Sequence, residues 1–329
     1  MTDTVLVIPA GQLATVVIRC LRKDPSLRIV SADTNFLAPG LHLADKGYLI
    51  PPASDPTFYD RVSDIIAKES VDVIYPASHP IIPVLASLVD KFSNVGAKLL
   101  ISKLETLDKC LDKWQTYQYL SRSIPMPKST IENNTEYILD NIGLPAFIKP
   151  RNGSGSKNVH KLEDVDDVHY FVKKTPNPIV QEFITGESCA IDILVNDDGK
   201  FLCGVTRKVL EVSDGISIKA VIEPRKDLVM LAKKICNILK FFGVIGISFI
   251  IDHKDSKPKL IEINPRTPIS VNLSTAAGYN MPLSAVYLAL GKPVNLNRQV
   301  PNILYVSRYY EEIFLEHVPT ISEESAVIS

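Results

Sequence analysis

The stretch LIEINPRTP, residues 260–268, places polar side chains within an apolar strand pattern. Its first five residues alternate apolar and polar, as in a half-buried β-strand, so the side chains of Glu262 and Asn264 should project from one face. Pro265 cannot donate to a central strand ladder and is expected to end the strand, which leaves Arg266 beside these two oxygen ligands. An ordinary solvated strand edge has the same pattern, so a metal and phosphate site needs further parts elsewhere.

Composition indicates a globular protein with no overall attraction to polyanions. The chain has 329 residues, of which 46% are hydrophobic and 22% charged, enough for a large core and more than one folding unit. Its formal net charge of -1 predicts neither nucleic-acid nor membrane-surface binding. Any polyanion must therefore be bound by a local site.

The cysteines and the N-terminus point to a reducing cytosol. The 5 cysteines are odd in number, widely spaced and without a CxxC pair, which argues against a disulfide framework and a structural zinc site. No basic region precedes the short apolar run of residues 1–11, and no apolar stretch reaches about 18 residues. Secretion and membrane spanning therefore lack support.

The first hundred residues read as a wound α/β domain. Residues 4–101 alternate short apolar runs with segments of helical periodicity, which is typical of a doubly wound parallel sheet. Only Gly11 follows the first strand, where a dinucleotide fold would carry GxGxxG, so nicotinamide or flavin binding is not favoured.

The remaining sequence divides at proline and glycine breaks. Residues 102–125 are helical and are followed by IPMPKS, whose two prolines end the pattern. Long alternating runs beyond residue 185 flank polar turns and predict hairpins. The predicted divisions are a wound domain 1–102, linker helices 103–125, a small subdomain with a glycine-rich loop 126–184, and a large subdomain 185–329.

A candidate phosphate-binding loop follows the run PAFIKP. Lys149 ends this apolar strand and precedes Gly153, Ser154, Gly155 and Ser156. Glycines let backbone N–H groups approach an anion, hydroxyls add donors, and a lysine supplies a point charge. GxxxxGK[ST] does not occur, so the loop is not a P-loop, and a flexible hairpin turn is the alternative.

A candidate adenine-binding hinge follows the apolar strand NPIV. The strand ends in Gln181 and Glu182, and the short apolar hinge Phe183 and Ile184 comes next. A hinge backbone can read an adenine edge, and Glu187 just beyond it could accept hydrogen bonds from ribose hydroxyls. A strand ending in a turn with solvated acids is the alternative.

Two further cation positions come from a helix and a strand. Lys113 lies in the helical LDKWQTY, where a solvated lysine is the ordinary interpretation. Arg207 and Lys208 are neighbours in the strand VTRKVLE, so they should face opposite sides of a sheet and at most one should reach a phosphate. A surface charge is the alternative for both.

The order of these elements resembles the ATP-grasp superfamily, especially its carboxylate-amine ligases and its carbamoyl-phosphate-synthetase-like branch. Lys113, Lys149 with its glycine loop, QEFITGE and EINPR follow one another as in that family, and the resemblance covers about residues 4–310. It implies an α/β and α+β chain: an N-terminal doubly wound parallel-sheet domain followed by a two-part ATP-grasp fold.

The resemblance also implies a nucleotide site. Lys113 and Lys149 would contact the ATP phosphates, and residues 153–156 would close over them. Residues 181–184 would frame the adenine, partly through backbone groups, and Glu187 would hold the ribose.

Metal binding and catalysis are implied at the EINPR strand. Glu262 and Asn264 would ligate Mg²⁺, with Mn²⁺ as a substitute, because magnesium prefers hard oxygen ligands. Arg266 would stabilise the transferred phosphoryl group or an acyl phosphate, with Lys149 and Arg207 as further catalytic residues.

Two positions depart from the family pattern. The strand GISFIID should supply another acid or amide near the metal, but Ser248 or Phe249 stands there. Asp252 lies close to the turn, and Gln181 stands where many relatives have glutamate. Either phosphate, water and Glu262 hold a second ion, or metal handling differs.

The predicted function is an ATP- and Mg²⁺-dependent cytoplasmic ligase. It would activate a small-molecule carboxylate as an acyl phosphate and join it to an amine, releasing ADP and phosphate. The alternatives are phosphorylation of bicarbonate or carbamate, and an ATP-binding regulatory protein without turnover. The resemblance also allows a homodimer. Substrate contacts are expected from the loops near residues 11, 33 and 79 and from 267–280, where Asn272 and Ser274 offer hydrogen bonds.

Overall fold

The structure is a computed structural model that describes residues 2–153, 155, 158–296, 300–315 and 327–328. In this part of the chain the strands form three sheets, two of six strands and one of four. The first is a wound sheet that is parallel except for one antiparallel strand at its edge, and the other two are antiparallel. The predicted order, a wound parallel-sheet domain followed by two units built on antiparallel sheets, is confirmed.

Short apolar runs of the N-terminal region form a parallel sheet buried on both faces. The first strand, residues 4–8, is fully buried because helices cover both sides of the sheet. Its elements are β1 (Thr4–Ile8), α1 (Gln12–Leu21), β2 (Arg28–Asp33), α2 (Pro39–Leu43), β3 (Lys46–Leu49), α3 (Phe58–Glu69), β4 (Val73–Pro76), α4 (Ile82–Ser87), α5 (Val89–Asn94) and β5 (Lys98–Leu99).

Two short helices connect this region to the rest: α6 (Leu104–Leu111) and α7 (Lys113–Leu120). They are separate because Asp112, in extended conformation, caps α7 by accepting from the backbone N–H groups of Trp114 and Gln115. The cap places Lys113 at the first position of α7.

The four-stranded sheet has the order β6-β9-β7-β8. Alternation along β7 buries Ala146 and Ile148 in a small core and turns Phe147 and Lys149 to the opposite face. Its elements are β6 (Ser129–Thr130), α8 (Thr135–Asn141), β7 (Ala146–Pro150), β8 (His160–Leu162), α9 (Val165–Lys174) and β9 (Pro178–Glu182).

The second six-stranded sheet has the order β14-β13-β10-β11-β12-β15. Cys189, Ile191 and Ile193 pack under a long amphipathic helix, and the alternate residues Ala190 and Asp192 face the other way. Its elements are β10 (Gly186–Val195), β11 (Phe201–Ser213), β12 (Ile216–Ile222), α10 (Lys226–Leu239), β13 (Gly243–Asp252), β14 (Pro258–Asn264), α11 (Val271–Ala276), α12 (Met281–Ala289) and β15 (Tyr305–Ser307).

A β-bulge interrupts the pairing of β13 with β14. Ser248 pairs with Glu262 and Phe249 pairs with Leu260, so Ile261 is an extra residue on β14. The bulge changes which side chains of β14 share a face.

A last strand, β16 (Val327–Ile328), pairs antiparallel with β3 at the edge of the first sheet. None of the helices in the described part of the chain is both long and apolar enough to cross a lipid bilayer.

Candidate active site

A cavity of about 470 Å³ lies between the four-stranded sheet and the β13–β14 hairpin. It brings together predicted site residues from distant parts of the sequence. Its lining comprises Lys113, Pro127, Phe147, Lys149, Pro150, Asn152, Gly153, Asn158, Val159, Pro176, Asn177, Gln181, Glu182, Ile184, Ile250, Ile261 and Glu262. We call it the nucleotide cavity.

One end of the nucleotide cavity is cationic. The Nζ atom of Lys113 donates to the backbone carbonyl of Gly153 at 3.1 Å and lies 3.6 Å from Oε1 of Glu262. Asp112, which caps the helix behind Lys113, forms an ion pair with Arg151 at 2.5 Å. This ion pair connects the start of α7 to the start of the glycine loop, and Lys113 and Lys149 line the same cavity.

The ammonium group of Lys149 has an unusual protonation equilibrium. Removal from water lowers the pKa of Lys149 from 10.5 to about 8; Glu262 opposes the shift, and Lys113 adds to it. Between pH 10.5 and about 8 the unfolded chain takes up a proton that the folded chain does not, so this residue's contribution to stability declines as the pH falls through that window. A bound phosphate would raise the pKa again.

We therefore expect ADP binding to be accompanied by net proton uptake near the pKa of Lys149, about 8. ADP affinity should fall as the pH rises from about 7 to about 9, because the free protein loses the ammonium charge. Calorimetry in buffers of different ionisation enthalpy measures the proton uptake. The Lys149→Met variant should bind ADP more weakly and without this pH dependence, and an unchanged pH profile in that variant would contradict the assignment.

The other end of the cavity has backbone and apolar groups suited to a flat base. Gln181 is buried, and its Nε2 atom donates to the Ser129 hydroxyl at 2.8 Å. The backbone N–H of Glu182 donates to the Lys128 carbonyl at 2.8 Å. Ile184 joins them on this side, and Ile250 and Ile261 form the opposite wall. The bulge is what lets Ile261 face this cavity next to Glu262.

The structure does not bring all predicted residues to this cavity. The ring of Phe183 lies against Phe147, with 5.1 Å between ring centroids, and does not line the cavity. Glu187 forms an ion pair with Lys208 at 2.5 Å. Strand alternation places Glu187 on the face of β10 that α10 covers, so it lies away from the expected ribose position.

The described residues include Gly153 and Gly155 of the predicted glycine loop. Gly153 lines the cavity, and Gly155 is an exposed turn residue with φ +76° that does not. Ser154 and Ser156, predicted to cover the phosphates, lie outside the described residues.

A second cavity of about 300 Å³ lies over the face of the large sheet opposite α10. We call it the acceptor cavity. Ile250, Ile261 and Glu262 line both cavities, whereas Asn264, Arg266 and Arg207 line the acceptor cavity and not the nucleotide cavity. The other lining residues of the acceptor cavity are Ser188, Cys189, Ala190, Val209, Val212, Gly215, Ile216, Ser217, Gly246, Ile247, Ser248, Phe249, Pro268, Ile269 and Ser270.

A buried polar cluster supports Arg207. Its Nη1 atom donates to Oδ1 of Asp192 at 2.6 Å, and the other Asp192 oxygen accepts from the Ser274 hydroxyl at 2.8 Å. Asp192 is 0% exposed. Lys208, the next residue along β11, points to the opposite face, in keeping with the predicted alternation.

The expectation for Asn272 and Ser274 as substrate contacts is wrong. The Sγ of Cys20 donates to Oδ1 of Asn272 at 3.5 Å, and Ser274 holds Asp192. Both belong to α11, which packs on the wound domain. The preceding loop residues, Pro268 to Ser270, line the acceptor cavity instead.

Glu262 and Asn264 bring two oxygen donors to one face, where they could hold magnesium. They are two positions apart on β14, and both line the acceptor cavity, so a carboxylate and an amide oxygen share one face. In the described part of the chain no group of three or more His, Cys, Asp or Glu residues could hold a metal. This donor set fits magnesium, which keeps water and phosphate oxygens as further ligands.

Ser248 occupies the position opposite Glu262 on the neighbouring strand. Both line the acceptor cavity, so the position that should carry a second acid holds a hydroxyl. Asp252 does not compensate, because it forms an ion pair with Lys259 at 2.9 Å at the far end of the hairpin. Among the described residues, few oxygen atoms are therefore available as ligands for a metal ion.

His79 lies beside the site, in one of the loops from which substrate contacts were expected. It lines a small recess with Lys113 and Glu262, and its buried Nδ1 atom has no hydrogen-bond partner among the described residues. Burial lowers the pKa of His79, and Arg266 adds to this effect. The only signal for His79 in the sequence was its position after a strand of the wound sheet.

Asp192 could have been identified from the sequence, because it is a lone acidic residue in an apolar strand.

Matches to known families agree with this geometry. Residues 110–269 match the family model described as an ATP-grasp domain, and residues 5–100 match the model described as a PylC-like N-terminal domain. The chain contains an ATP-grasp domain. The two matches are separated by residues 101–109, which contain most of α6.

Solved ATP-grasp structures share the fold at low sequence identity. The biotin carboxylase domain of Hydrogenobacter thermophilus 2-oxoglutarate carboxylase, a complex with MgADP, ADP and bicarbonate, matches at 16% identity and TM-score 0.76, covering 91% of this chain and 72% of that one. Staphylococcus aureus N5-carboxyaminoimidazole synthetase with ADP matches at 16% identity and TM-score 0.71, over 91% and 80%. Rhizobium etli pyruvate carboxylase matches at 16% and 0.75, over 92% of this chain but only 30% of that one.

Proposed function

We propose that the protein is an ATP-dependent ligase that activates a carboxylate as an acyl phosphate and joins it to an amine, releasing ADP and phosphate. One observation carries this proposal: Glu262 lines both the nucleotide cavity and the acceptor cavity. A phosphoryl donor in the first cavity and a carboxylate in the second would meet at this residue.

Each step has matching groups in the chain. A carboxylate oxygen attacks the γ-phosphorus of ATP, the bond to the β-phosphate oxygen breaks, and ADP leaves. Lys113 and Lys149 would hold the phosphate charge, and Arg266 would contact the phosphoryl group from the acceptor side. A neutral amine then attacks the acyl carbon, loses a proton and expels phosphate, so no side-chain nucleophile is required.

Glu262 and Asn264 would hold magnesium beside the phosphates. When bound, magnesium neutralises negative charge on the transferring phosphoryl group. The cytosol is the proposed compartment, because the five cysteines of the chain are free thiols buried in the structure. Small molecules are the proposed partners, and a homodimer is allowed by the relatives, one of which is a dimer.

The direct test is product analysis with ATP, magnesium and a matrix of small carboxylates and amines. The proposal expects ADP and phosphate to appear only when an accepted carboxylate is present, with an amide formed when an amine is added. AMP and pyrophosphate as products would contradict it. ADP formation that requires bicarbonate alone would instead select bicarbonate phosphorylation, and tight ATP binding without turnover would select a regulatory role.

Ser248→Glu tests whether the sparse metal ligands limit magnesium binding. Because residue 248 stands opposite Glu262, a glutamate there adds a second carboxylate on the same face. We expect the magnesium concentration for half-maximal activity, or for half-maximal stabilisation with ATP, to fall about tenfold. Ser248→Gln is the matched control for size. An unchanged magnesium dependence in Ser248→Glu would show that this position does not reach the ion.

A further inference from the structure

The acceptor cavity contains a group of cations with too few acids. Arg207 is only 6% exposed and is paired with Asp192, yet its Nε atom has no hydrogen-bond partner among the described residues. Buried donors are normally satisfied, so an unpaired one in a residue that lines a cavity points to an acceptor that the described residues do not supply. The guanidinium group therefore has binding capacity beyond its ion pair.

Arg308 adds a second positive charge behind the wall at this end, although it is not itself among the described lining residues. Its Nε atom donates to the carbonyl of Ser217 at 2.9 Å, and its Nη2 atom donates to the carbonyl of Ile269. Both carbonyls belong to residues that line the acceptor cavity. Arg308 forms no ion pair within the described part of the chain, so Asp192 alone balances two arginines.

The pKa of Arg308 responds to its burial and to the charges of Arg207 and Asp192. Burial lowers that pKa, Arg207 lowers it further, and Asp192 opposes the change. Among the described residues the cluster therefore has two guanidinium groups and one carboxylate in a partly buried position, an arrangement that favours the approach of an anion.

The spacing across the sheet separates this cluster from the reaction centre. Arg207 pairs with Ala190, Ala190 with Ser248, and Ser248 with Glu262, so one row crosses four strands. Three inter-strand steps place the Cα atoms of Arg207 and Glu262 about 14 Å apart. Ala190 and Ser248 are small, so no large side chain covers the sheet surface between Arg207 and Glu262.

The remaining lining residues of the acceptor cavity indicate what kind of ligand it can hold. Val209, Ile250 and Ile269 provide apolar walls, and Glu262 is the only carboxylate among the described lining residues. If Glu262 is engaged with magnesium, no acid remains there to receive an ammonium group. The cavity thus favours a short apolar chain without a positive charge.

We propose that the activated substrate is dianionic: one carboxylate lies at Glu262 and Arg266, and a second anionic group, carboxylate or phosphate, binds Arg207 a few carbon atoms away, with Arg308 adding positive charge behind that contact. This inference rests on the proposed function, since it names the substrate class of the acceptor cavity. Arg207 then acts as a substrate-binding residue at the far end and not as a contact to the ATP phosphates.

Matched ligand pairs test the proposal by calorimetry in the presence of ADP and magnesium. Succinate and glutarate should bind at least about tenfold more tightly than butyrate and valerate, because an added guanidinium-anion contact is charge-assisted. Phosphoglycolate is compared with glycolate, so that a larger gain there identifies the second anion as phosphate. Glutamate should bind more weakly than glutarate. Equal affinity of dianions and monoanions, or preference for glutamate, would overturn the proposal.

Two different variants test the same anion contact, so that misfolding of one of them does not decide the outcome. Arg308→Gln should remove most of the preference for dianions, and so should Arg207→Gln combined with Asp192→Asn, which avoids an unpaired buried carboxylate. Arg122→Gln, at an exposed position, is the control and should keep the preference. An unchanged preference in both test variants would contradict the assignment.

Nucleotide binding separates the two possible failures. If ADP and magnesium do not bind the native protein, the proposed function itself fails. If ADP binds normally but dianions have no advantage, only the inference about the substrate fails.

Discussion

Replacing Glu262 with glutamine is expected to lower the rate of ADP release by about 10²- to 10³-fold at saturating ATP and magnesium. Glutamine keeps the size of the side chain but removes the charge that would hold magnesium where the two cavities meet. The side chain of Glu262 is 34% exposed and pairs only loosely with Lys113, at 3.6 Å, so folding should not depend on it. Steady-state ADP release is the measurement, with the unfolding temperature as the check on folding.

Glu132→Gln is the matched control, because residue 132 is exposed and distant from both cavities. It should retain full activity. If Glu262→Gln keeps a large share of the native rate at saturating magnesium, Glu262 does not act at the transferring group, and the proposed meeting point of the cavities is wrong.

Asp192→Ala is expected to destabilise the protein by about 3–5 kcal/mol, because it leaves Arg207 buried without its counter-ion. The side chains of Arg207 and Asp192 are 7% and 0% exposed, so water cannot replace the lost partner. The Ser274 hydroxyl would lose its acceptor as well. Urea unfolding at constant pH measures the free-energy change.

Two comparisons distinguish charge burial from the loss of packing. Removing both charges together, with Arg207→Met and Asp192→Leu, should recover most of the stability, because no unpaired charge remains. Glu105→Ala, which breaks an exposed pair with Lys109, should have little effect. If the double variant is as unstable as Asp192→Ala, packing and not the unpaired charge causes the loss.

The nucleotide cavity was largely predictable from local sequence. Lys149 ends an apolar strand, and EINPR alternates, so the local patterns already assigned these side chains to strands and faces. Their order along the chain carried the resemblance to ATP-grasp proteins, which the family models support. Glu187 shows the limit of this reasoning: its distance from the hinge in sequence was suitable, but alternation on β10 turns it to the opposite face.

The acceptor cavity was much less predictable. Arg308 lies about a hundred residues from Arg207 in sequence, and nothing in either local pattern relates them. They come together because β15 adds to the edge of the large sheet beside β12, and the chain after it brings Arg308 to the Ile269 carbonyl. The same long-range packing directed Asn272 and Ser274 away from the substrate position expected for them.

The sequence by itself determined the wound domain, the alternating strands and the residue types available to bind a phosphorylated nucleotide. These follow from local periodicity, because burial of one face repeats every two residues in a strand and about every 3.6 in a helix. Only the tertiary structure decided that a bulge at Ile261 turns two consecutive side chains toward the nucleotide, and that Glu262 borders two cavities. Both depend on strand register and sheet packing, which residues far apart in the chain fix together.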